Sequence, residues 1–126
     1  MRKFYRCNVC GNLVMVIHDA GNTPSCCMRD MEELIPGSVD STAEKHVPDV
    51  KVSECCVKVK IGTEDHPMTE AHKIEWIALE TDKGFYLKSV YNKPEAKACF
   101  NIKSGETPQT VYSYCNQHGL WLRDLI

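Results

Sequence analysis

Short segments of alternating apolar and polar residues dominate the chain after its first third. Residues 57–61 read Val-Lys-Val-Lys-Ile, and this period of two predicts a strand with one face turned inward. Further strands are predicted over residues 74–79, 85–91, 98–102 and 109–114, because apolar segments there are separated by turn residues. Many short strands at near-regular spacing, without an amphipathic helical pattern, favour an antiparallel β-sandwich or barrel.

The first 36 residues differ from the rest of the chain in composition. They hold four cysteines but few apolar residues, and a domain of fewer than about 40 residues usually needs a metal or disulfides for stability. The sequence therefore predicts a small metal-stapled domain over residues 1–36, followed by a mainly β domain over residues 37–126.

Composition and charge exclude several classes of function for this chain. The chain has 126 residues, 15 basic and 17 acidic side chains and 43% hydrophobic residues, which is typical of a globular protein. Without a run of Lys or Arg it lacks the electrostatic footprint that nucleic acid requires. The longest purely apolar run, residues 13–17, is too short for a membrane span or a signal peptide. We therefore expect that the protein binds no nucleic acid and no membrane and that it is cytoplasmic. Eight cysteines in that reducing compartment favour metal binding or redox chemistry over disulfides.

Four of the cysteines have ligand spacing. Cys7-x-x-Cys10 precedes Gly11, and fifteen residues separate this pair from Cys26 and Cys27. Four thiolates suit zinc or iron, and the ligands alone do not separate the two metals. A zinc knuckle that only holds the N-terminus together remains open on spacing alone. Because neighbouring Cα atoms lie about 3.8 Å apart, the adjacent Cys26 and Cys27 predict a distorted tetrahedron.

A second set combines imidazoles with one thiol. Cys115-x-x-His118 is a chelating pair, and three further histidines lie at His46, His66 and His72. Pro67 directly after His66, and another proline two residues after His46, favour extended loops that fix the direction of an imidazole. Imidazoles with one thiolate suit iron, copper or zinc.

These motifs, taken in order, resemble a known family. The elements are Cys7-x-x-Cys10, Cys26-Cys27, Glu44-Lys45-His46-Val47-Pro48, His66-Pro67-Met68, His72, Ile74-Glu75-Trp76 and Cys115-Asn116-x-His118-Gly119-Leu120-Trp121. Together they resemble desulfoferrodoxin, the two-iron form of superoxide reductase, over nearly the whole chain. The resemblance implies a rubredoxin-type or desulforedoxin-like Fe(Cys)4 domain followed by an immunoglobulin-like β-sandwich. It also implies a second iron in the sandwich, with His46, His66, His72 and His118 in a plane and Cys115 axial.

The resemblance also implies an activity and partners. Family members reduce superoxide by one electron to hydrogen peroxide at the open position of the second iron, and a rubredoxin or similar donor re-reduces that iron. Glu44 corresponds to the residue that closes the oxidised site, and Lys45 to the lysine that faces the open position. A cationic side chain there attracts the superoxide anion. The family protein is usually a homodimer.

Four residues match none of these motifs, and one alternative function stays open. We expect His18 to be a loop residue and Cys55, Cys56 and Cys99 to be packing residues, since free cysteines are often buried and inert. Alternatively, Cys99 is a reactive thiol exposed to the peroxide product. The competing function is a non-catalytic electron carrier or a zinc-holding structural protein with the same ligands, which metal analysis would distinguish.

Overall fold

The computed structural model describes residues 2–37, 46–62 and 66–126. The chain divides into two units, Met1–Ile35 and Pro36–Ile126. Within the described ranges the elements with defined bounds are twelve β-strands, and no helix there is long and apolar enough to cross a membrane. The predicted mainly β fold class is confirmed.

The N-terminal unit contains five very short strands. They are β1 Phe4–Arg6, β2 Leu13–Met15, β3 Ser25–Cys26, β4 Arg29–Asp30 and β5 Glu32–Glu33. Strand β1 lies between β2 and β5 in an antiparallel sheet, while β3 and β4 form a separate hairpin. One apolar cluster consists of the buried Tyr5, Cys7 and Met31, and Phe4 and Leu34 are also buried. These few residues form too small a core to stabilise a unit of this length alone.

The C-terminal unit is a sandwich of two antiparallel sheets. Its strands are β6 Pro48–Val52, β7 Cys56–Ile61, β8 Ile74–Thr81, β9 Phe85–Ser89, β10 Lys97–Asn101, β11 Pro108–Cys115 and β12 Gly119–Asp124. One sheet has the order β10-β7-β6 and the other β12-β11-β8-β9. Seven antiparallel strands divided three and four between two sheets are typical of an immunoglobulin-like sandwich.

The alternation of residues along the strands forms the core of the sandwich. In β7, Val57, Val59 and Ile61 are buried while Lys58 and Lys60 are exposed. Strands β8 and β11 lie inside the four-stranded sheet and are buried along nearly their whole length. Their inward residues pack against those of β7 and against Phe100 of β10. This core fixes the ends of β11 and the start of β8, where the second donor set lies.

The five strands predicted from sequence after residue 37 are all present, with ends that differ by a few residues. Strands β6 and β12 were not predicted. Strand β6 begins at a proline, which cannot donate a backbone hydrogen bond and is typical of the start of a strand. Strand β12 follows the ligand motif at His118 directly, so its residues were interpreted only as part of that motif.

Candidate metal centres

The first cysteine pair lies on a tight turn that follows β1. The Gly11 N–H donates to the Cys7 carbonyl at 2.9 Å, and the Cys7 N–H donates to the Asn12 carbonyl at 2.8 Å. Gly11 has φ +83°, a conformation that glycine adopts at little cost. The turn brings the Cys10 N–H to 3.4 Å from the Cys7 sulfur, so Cys7 and Cys10 point to the same side.

The adjacent cysteines lie on a two-residue hairpin turn. Cys26 pairs with Arg29 across the hairpin, and the two residues between them, Cys27 and Met28, have φ of 53° and 61°. Positive φ at both central positions is the type I′ arrangement, which favours Asn and Gly. Placing Cys and Met there costs on the order of 1 kcal/mol each or more. The strained turn allows the adjacent Cys26 and Cys27 to direct both sulfurs at one centre.

The four sulfurs fit a tetrahedral metal. The Cys10 and Cys26 sulfurs are 3.6 Å apart and the Cys26 and Cys27 sulfurs 3.9 Å apart, and the donor atoms of all four cysteines lie within 4.8 Å of one another. A tetrahedral ion with metal–sulfur bonds of about 2.3 Å needs sulfurs about 3.8 Å apart. Cys7 is buried and Cys26 half-buried, whereas Cys10 and Cys27 are exposed.

Hydrogen bonds give these thiols very different pKa values. The backbone N–H groups of Cys10 and Val9 lower the pKa of Cys7 to about 6. Hydrogen bonds with Cys10, Cys7 and Cys26 raise the pKa of Cys27 to about 12. A metal ion must therefore displace a tightly held proton from Cys27, so metal binding at this centre releases protons.

The second donor set gathers at one end of the sandwich. His46 lies just before β6, and His66 and His72 lie on the segment between β7 and β8. Cys115 ends β11, and His118 lies in the turn to β12. The register between β11 and β8 shifts between Tyr114 and Cys115, and such a bulge redirects the side chain that follows it.

The four imidazoles lie at the corners of a square. Ring centroids are 4.6 Å apart for His46 and His66, 4.8 Å for His66 and His72, 5.1 Å for His72 and His118, and 4.6 Å for His118 and His46. The diagonal from His46 to His72 is 6.3 Å. Neighbouring rings are inclined by 62° to 79°, whereas the diagonal pair is inclined by 28°. Four rings in this arrangement can direct one nitrogen each at a common centre.

The contact between His66 and His46 supports a cation at that centre. The Nδ1 of His66 lies 2.6 Å from the Pro67 carbonyl, and the carbonyl can only accept, so Nδ1 carries the proton and Nε2 has a lone pair. That Nε2 lies 3.0 Å from the Nε2 of His46. Adjacent imidazole ligands with metal–nitrogen bonds of about 2.1 Å are separated by about 3.0 Å when their bonds are at right angles. Burial also lowers the pKa of His66 to about 4, which favours the neutral, metal-binding form.

Cys115 supplies the thiol of this set. It is fully buried, and its sulfur lies 3.8 Å from the Nδ1 of His118. Burial raises the pKa of the Cys115 thiol, while the backbone N–H groups of Gln117 and His118 act in the opposite direction. The donor atoms of His46, His66, His72 and Cys115 lie within 4.8 Å of one another, and the exposed ring of His118 completes the square.

Asn116 joins the two loops that carry these ligands, a role that sequence reasoning missed. Its Oδ1 accepts from the Lys73 N–H at 2.9 Å and its Nδ2 donates to the Ala71 carbonyl at 3.0 Å. Its backbone N–H donates to the Lys73 carbonyl at 3.1 Å. Residues 71–73, which include His72, are therefore held against the turn that carries His118. An Asn inside the Cys115-x-x-His118 motif was the available signal.

Trp121 supports the square from one side. Its ring stacks on His46 with centroids 4.9 Å apart and an inclination of 17°. Gly37 forms a parallel bridge with Trp121, and a Cβ on Gly37 would lie 2.9 Å from that ring. The glycine therefore allows the tryptophan to lie flat against His46.

The remaining sequence-based expectations have mixed outcomes. Glu44 and Lys45 lie outside the described residues. His18 is an exposed loop residue, as expected. The packing interpretation is wrong for Cys55 and Cys99, which are exposed on or beside the outer face of the three-stranded sheet.

Comparison with known proteins agrees with this geometry. The family model described as "Desulfoferrodoxin" matches residues 38–124, and "Desulfoferrodoxin, N-terminal domain" matches residues 1–34. The chain is similar to desulfoferrodoxin from Syntrophotalea carbinolica, with 38% identity over 93% of this chain and 91% of the relative. It is also similar to desulfoferrodoxin from Nitratidesulfovibrio vulgaris, with 39% identity over 94% of this chain and 93% of the relative.

A solved structure has the same fold over nearly the whole chain. The superoxide reductase from Treponema pallidum has a TM-score of 0.82 and 29% identity, and the match covers 98% of each chain. The sandwich and the two donor sets define a non-haem metalloprotein with two centres in one chain. The chain belongs to the desulfoferrodoxin family. Its four-cysteine set and its set of imidazoles with one thiol match the two iron centres predicted from the sequence.

Proposed function

We propose that this protein is a superoxide reductase, which reduces superoxide with one electron and two protons to hydrogen peroxide. The observation that carries the proposal is the square of four imidazoles beside the buried Cys115. Five protein donors would leave one further ligand position of a six-coordinate iron for the substrate. The similarity to the Treponema pallidum superoxide reductase supports the same assignment.

The ligands follow from the two donor sets. His46, His66, His72, His118 and Cys115 would hold the catalytic iron, and Cys7, Cys10, Cys26 and Cys27 the second iron. When bound, a ferrous ion in the imidazole square supplies the electron that superoxide takes up. Residues 1–36 and 37–126 would form the two domains that carry these centres.

The chain's own groups prepare the catalytic site. The Pro67 carbonyl holds the proton of His66 on Nδ1 and thereby keeps Nε2 available. The backbone N–H groups of Gln117 and His118 stabilise the negative charge of the Cys115 thiolate against the cost of its burial. The buried Cys115 thiolate would donate electron density to a bound iron and tune its reactivity.

Lys45 and Glu44 are proposed to control access. A lysine ammonium near the open face raises the local concentration of the superoxide anion, an effect that salt screens. Glu44 would close the site after peroxide leaves. Lys45→Ile should slow the association of superoxide and flatten its salt dependence, as followed by pulse radiolysis. An unchanged rate with an unchanged salt slope would remove Lys45 from the mechanism.

A homodimer is the assembly that we propose. Five of the exposed large apolar side chains belong to the N-terminal unit: Val9, Val14, Ile17, Met28 and Ile35. Exposed apolar surface concentrated in so small a unit supports contact with a second copy. Analytical ultracentrifugation of Ile17→Lys should give a larger monomer fraction than the parent. The same monomer fraction in both proteins would argue against an interface at Ile17.

The electron donor is proposed to be a rubredoxin or a similar small redox protein, and the location the cytoplasm. Family resemblance supports the donor, and the need of the five cysteine ligands to stay reduced supports a reducing compartment. Stopped-flow mixing of the oxidised protein with reduced rubredoxin should give rapid reduction of the catalytic iron. Reduction no faster than by an unrelated one-electron donor of similar potential would exclude a specific rubredoxin partner.

The activity is tested by counting products. The anaerobically reduced, iron-loaded protein is exposed to superoxide, and iron oxidation, peroxide and dioxygen are recorded together. A reductase yields one peroxide per superoxide consumed and releases no dioxygen, whereas a dismutase yields half as much peroxide together with dioxygen. His118→Ala should lose the reaction, and His18→Ala, which changes an exposed histidine at neither centre, should retain it.

A further inference from the structure

A pair of thiols that belongs to neither donor set lies on the outer face of the three-stranded sheet. In the antiparallel pairing of β7 and β10, Cys56 lies opposite Asn101 and Cys99 lies opposite Lys58. Residues two apart on a strand share a face, so Cys56 and Cys99 are diagonal neighbours on one face of the sheet. Cys99 is exposed and Cys56 half-buried.

The two thiols interact in a basic environment. A hydrogen bond with Cys99 raises the pKa of the Cys56 thiol, and the Lys58 ammonium acts weakly in the opposite direction. The Lys88 ammonium contacts the Cys99 carbonyl. Because Cys99 is exposed and Cys56 is half-buried, Cys99 is the thiol that a peroxide in solution reaches first.

We propose that Cys99 and Cys56 form a peroxide-sensitive dithiol that closes to a disulfide when the protein's own product accumulates. The source of peroxide rests on the proposed superoxide reductase function. The chemistry of the dithiol itself does not, since peroxide from any source would oxidise it.

The reaction balances without a further oxidant. The Cys99 thiolate attacks one oxygen of hydrogen peroxide, the O–O bond breaks, and the departing hydroxide takes up a proton to form water. Cys99 is then a sulfenic acid. The Cys56 sulfur attacks it, the S–S bond forms, the S–O bond breaks, and a second water leaves with the Cys56 proton. Two thiols lose two electrons in total, and one peroxide is reduced to two waters.

The fold allows the disulfide to close. Diagonal positions on adjacent strands are about 7–8 Å apart, slightly farther than the Cα separation of a relaxed disulfide, about 5.5–6 Å. Strand β10 lies at the edge of its sheet, with β7 as its one neighbour there. Closure of the disulfide therefore requires an inward shift of about 1–2 Å in this edge strand.

A groove connects the dithiol with the catalytic end of the sandwich. Cys99 lines a surface groove of about 690 Å³ together with Lys58 and Lys88. A second cavity of about 230 Å³ reaches His66. Lys60, Pro94, Glu95 and Lys97 line both. The shared lining residues thus place Cys99 and His66 at neighbouring cavities of the sandwich surface.

The test adds hydrogen peroxide directly to the full-length, iron-loaded protein. Trypsin releases residues 52–58, which contain Cys55 and Cys56, and residues 98–103, which contain Cys99. Mass spectrometry without reductant should detect these two peptides linked and two hydrogens lighter. In Cys56→Ser, Cys99 should accumulate as a sulfenic acid that dimedone traps. In Cys99→Ser, oxidation of Cys56 should slow by about tenfold or more.

Cys55→Ser is the matched control, because Cys55 is an exposed thiol beside the pair and its loss should leave the linked peptide unchanged. The proposal is overturned if no linked peptide forms, or if the link persists in Cys56→Ser through Cys55. A separate arm feeds superoxide with and without catalase. Because superoxide also forms peroxide by spontaneous dismutation, the peroxide yield in the arm without catalase decides the function. A dithiol that closes with added peroxide, in a protein that yields only half a peroxide per superoxide, would refute the superoxide reductase function and leave the dithiol proposal standing.

Discussion

At the scale of single residues, Asn116 determines how firmly two ligand loops are held together. Its side chain bonds to both Lys73 and Ala71. Asn116→Ala removes both bonds, so His72 and His118 should lose their fixed separation. Groups that orient metal ligands typically contribute about 10–100-fold to metal affinity, and we expect a loss of that size for iron in the imidazole square. Competition with a chelator measures it, with the four-cysteine centre of the same chain as internal reference.

Gln117→Ala is the control for this effect. Gln117 is exposed and donates a single side-chain bond, to the Ala71 carbonyl at 2.7 Å. Its loss should reduce iron affinity much less than the loss of Asn116. Equal iron retention by the parent and Asn116→Ala would mean that the loops keep their positions without this residue.

Glu106 makes stability depend on pH. Its carboxylate accepts from the hydroxyls of Thr81 and Tyr86 at 2.5 and 2.6 Å and from the Lys103 N–H at 3.0 Å. These bonds, led by Thr81, lower the pKa of Glu106 below its ordinary value of 4.5. A lowered carboxyl pKa stabilises the fold above the ordinary value, and this contribution is lost as the pH falls through the folded value.

Glu106→Gln should therefore unfold at a lower temperature than the parent at pH 7, and the difference should shrink below pH 4.5. Thermal unfolding of both proteins across this range measures it. Glu95→Gln is the control, because Glu95 is an exposed partner of Lys97 and such pairs contribute little. A difference between Glu106→Gln and the parent that is the same at every pH would show that the carboxylate charge is not the cause.

At the scale of elements, the strands were easier to predict than the loops between them. The alternation of apolar and polar residues predicts β7, because its lysines face water and its valines face the core. It does not mark the hairpin of Cys26 and Cys27, whose positive φ values occur at residues that give no turn signal. Spacing alone indicated two candidate donor sets and left the metal open, and the full ligand sets came from the resemblance of the ordered motifs to a known family. The hydrogen bonds of Asn116 to the neighbouring ligand loop and the exposure of Cys99 depend on which segments of the chain lie side by side. The local pattern of residues along the chain does not reveal this pairing.

Trp121 of strand β12 connects the core of the sandwich with the imidazole square, and a substitution at Gly37 tests this connection. A Cβ at residue 37 would lie 2.9 Å from the Trp121 ring, and Trp121 is 1% exposed, so the ring has little room to move. Gly37→Ala should destabilise the C-terminal unit by about 1–3 kcal/mol, which is typical of overpacking. It should also tilt Trp121 away from His46 and alter the absorption of the iron-loaded site. Urea unfolding and the visible spectrum record the two effects.

Gly84→Ala is the matched control, since a Cβ there would meet Tyr86 at an ordinary contact distance of 3.6 Å. It should leave the spectrum unchanged. If Gly37→Ala keeps the parent's stability and spectrum, the contact between Gly37 and Trp121 does not restrict the position of the ring.

At the scale of the whole molecule, the two units depend on their metals to different degrees. The C-terminal unit has a cluster of twelve buried core residues. In the described part of the N-terminal unit the buried apolar residues are Phe4, Tyr5, Cys7, Met31 and Leu34, and one of these, Cys7, belongs to the four-cysteine set. Burial of apolar surface is the main source of folding free energy, so the sandwich can fold by its core. The small unit needs the bonds of its four cysteines, as structural metal sites supply folding free energy directly.

Loss of the N-terminal centre should therefore unfold only the first 35 residues. Cys10→Ser removes one exposed ligand without opening a cavity, and hydrogen exchange followed by mass spectrometry should detect loss of amide protection across that unit. Protection in β7, β8 and β11 should stay at the parent's level, and so should iron content in the imidazole square. Cys55→Ser, an exposed cysteine at neither centre, controls for the loss of a thiol. Cys10→Ser with full protection in the first unit would mean that its small core and short strands suffice to keep it folded.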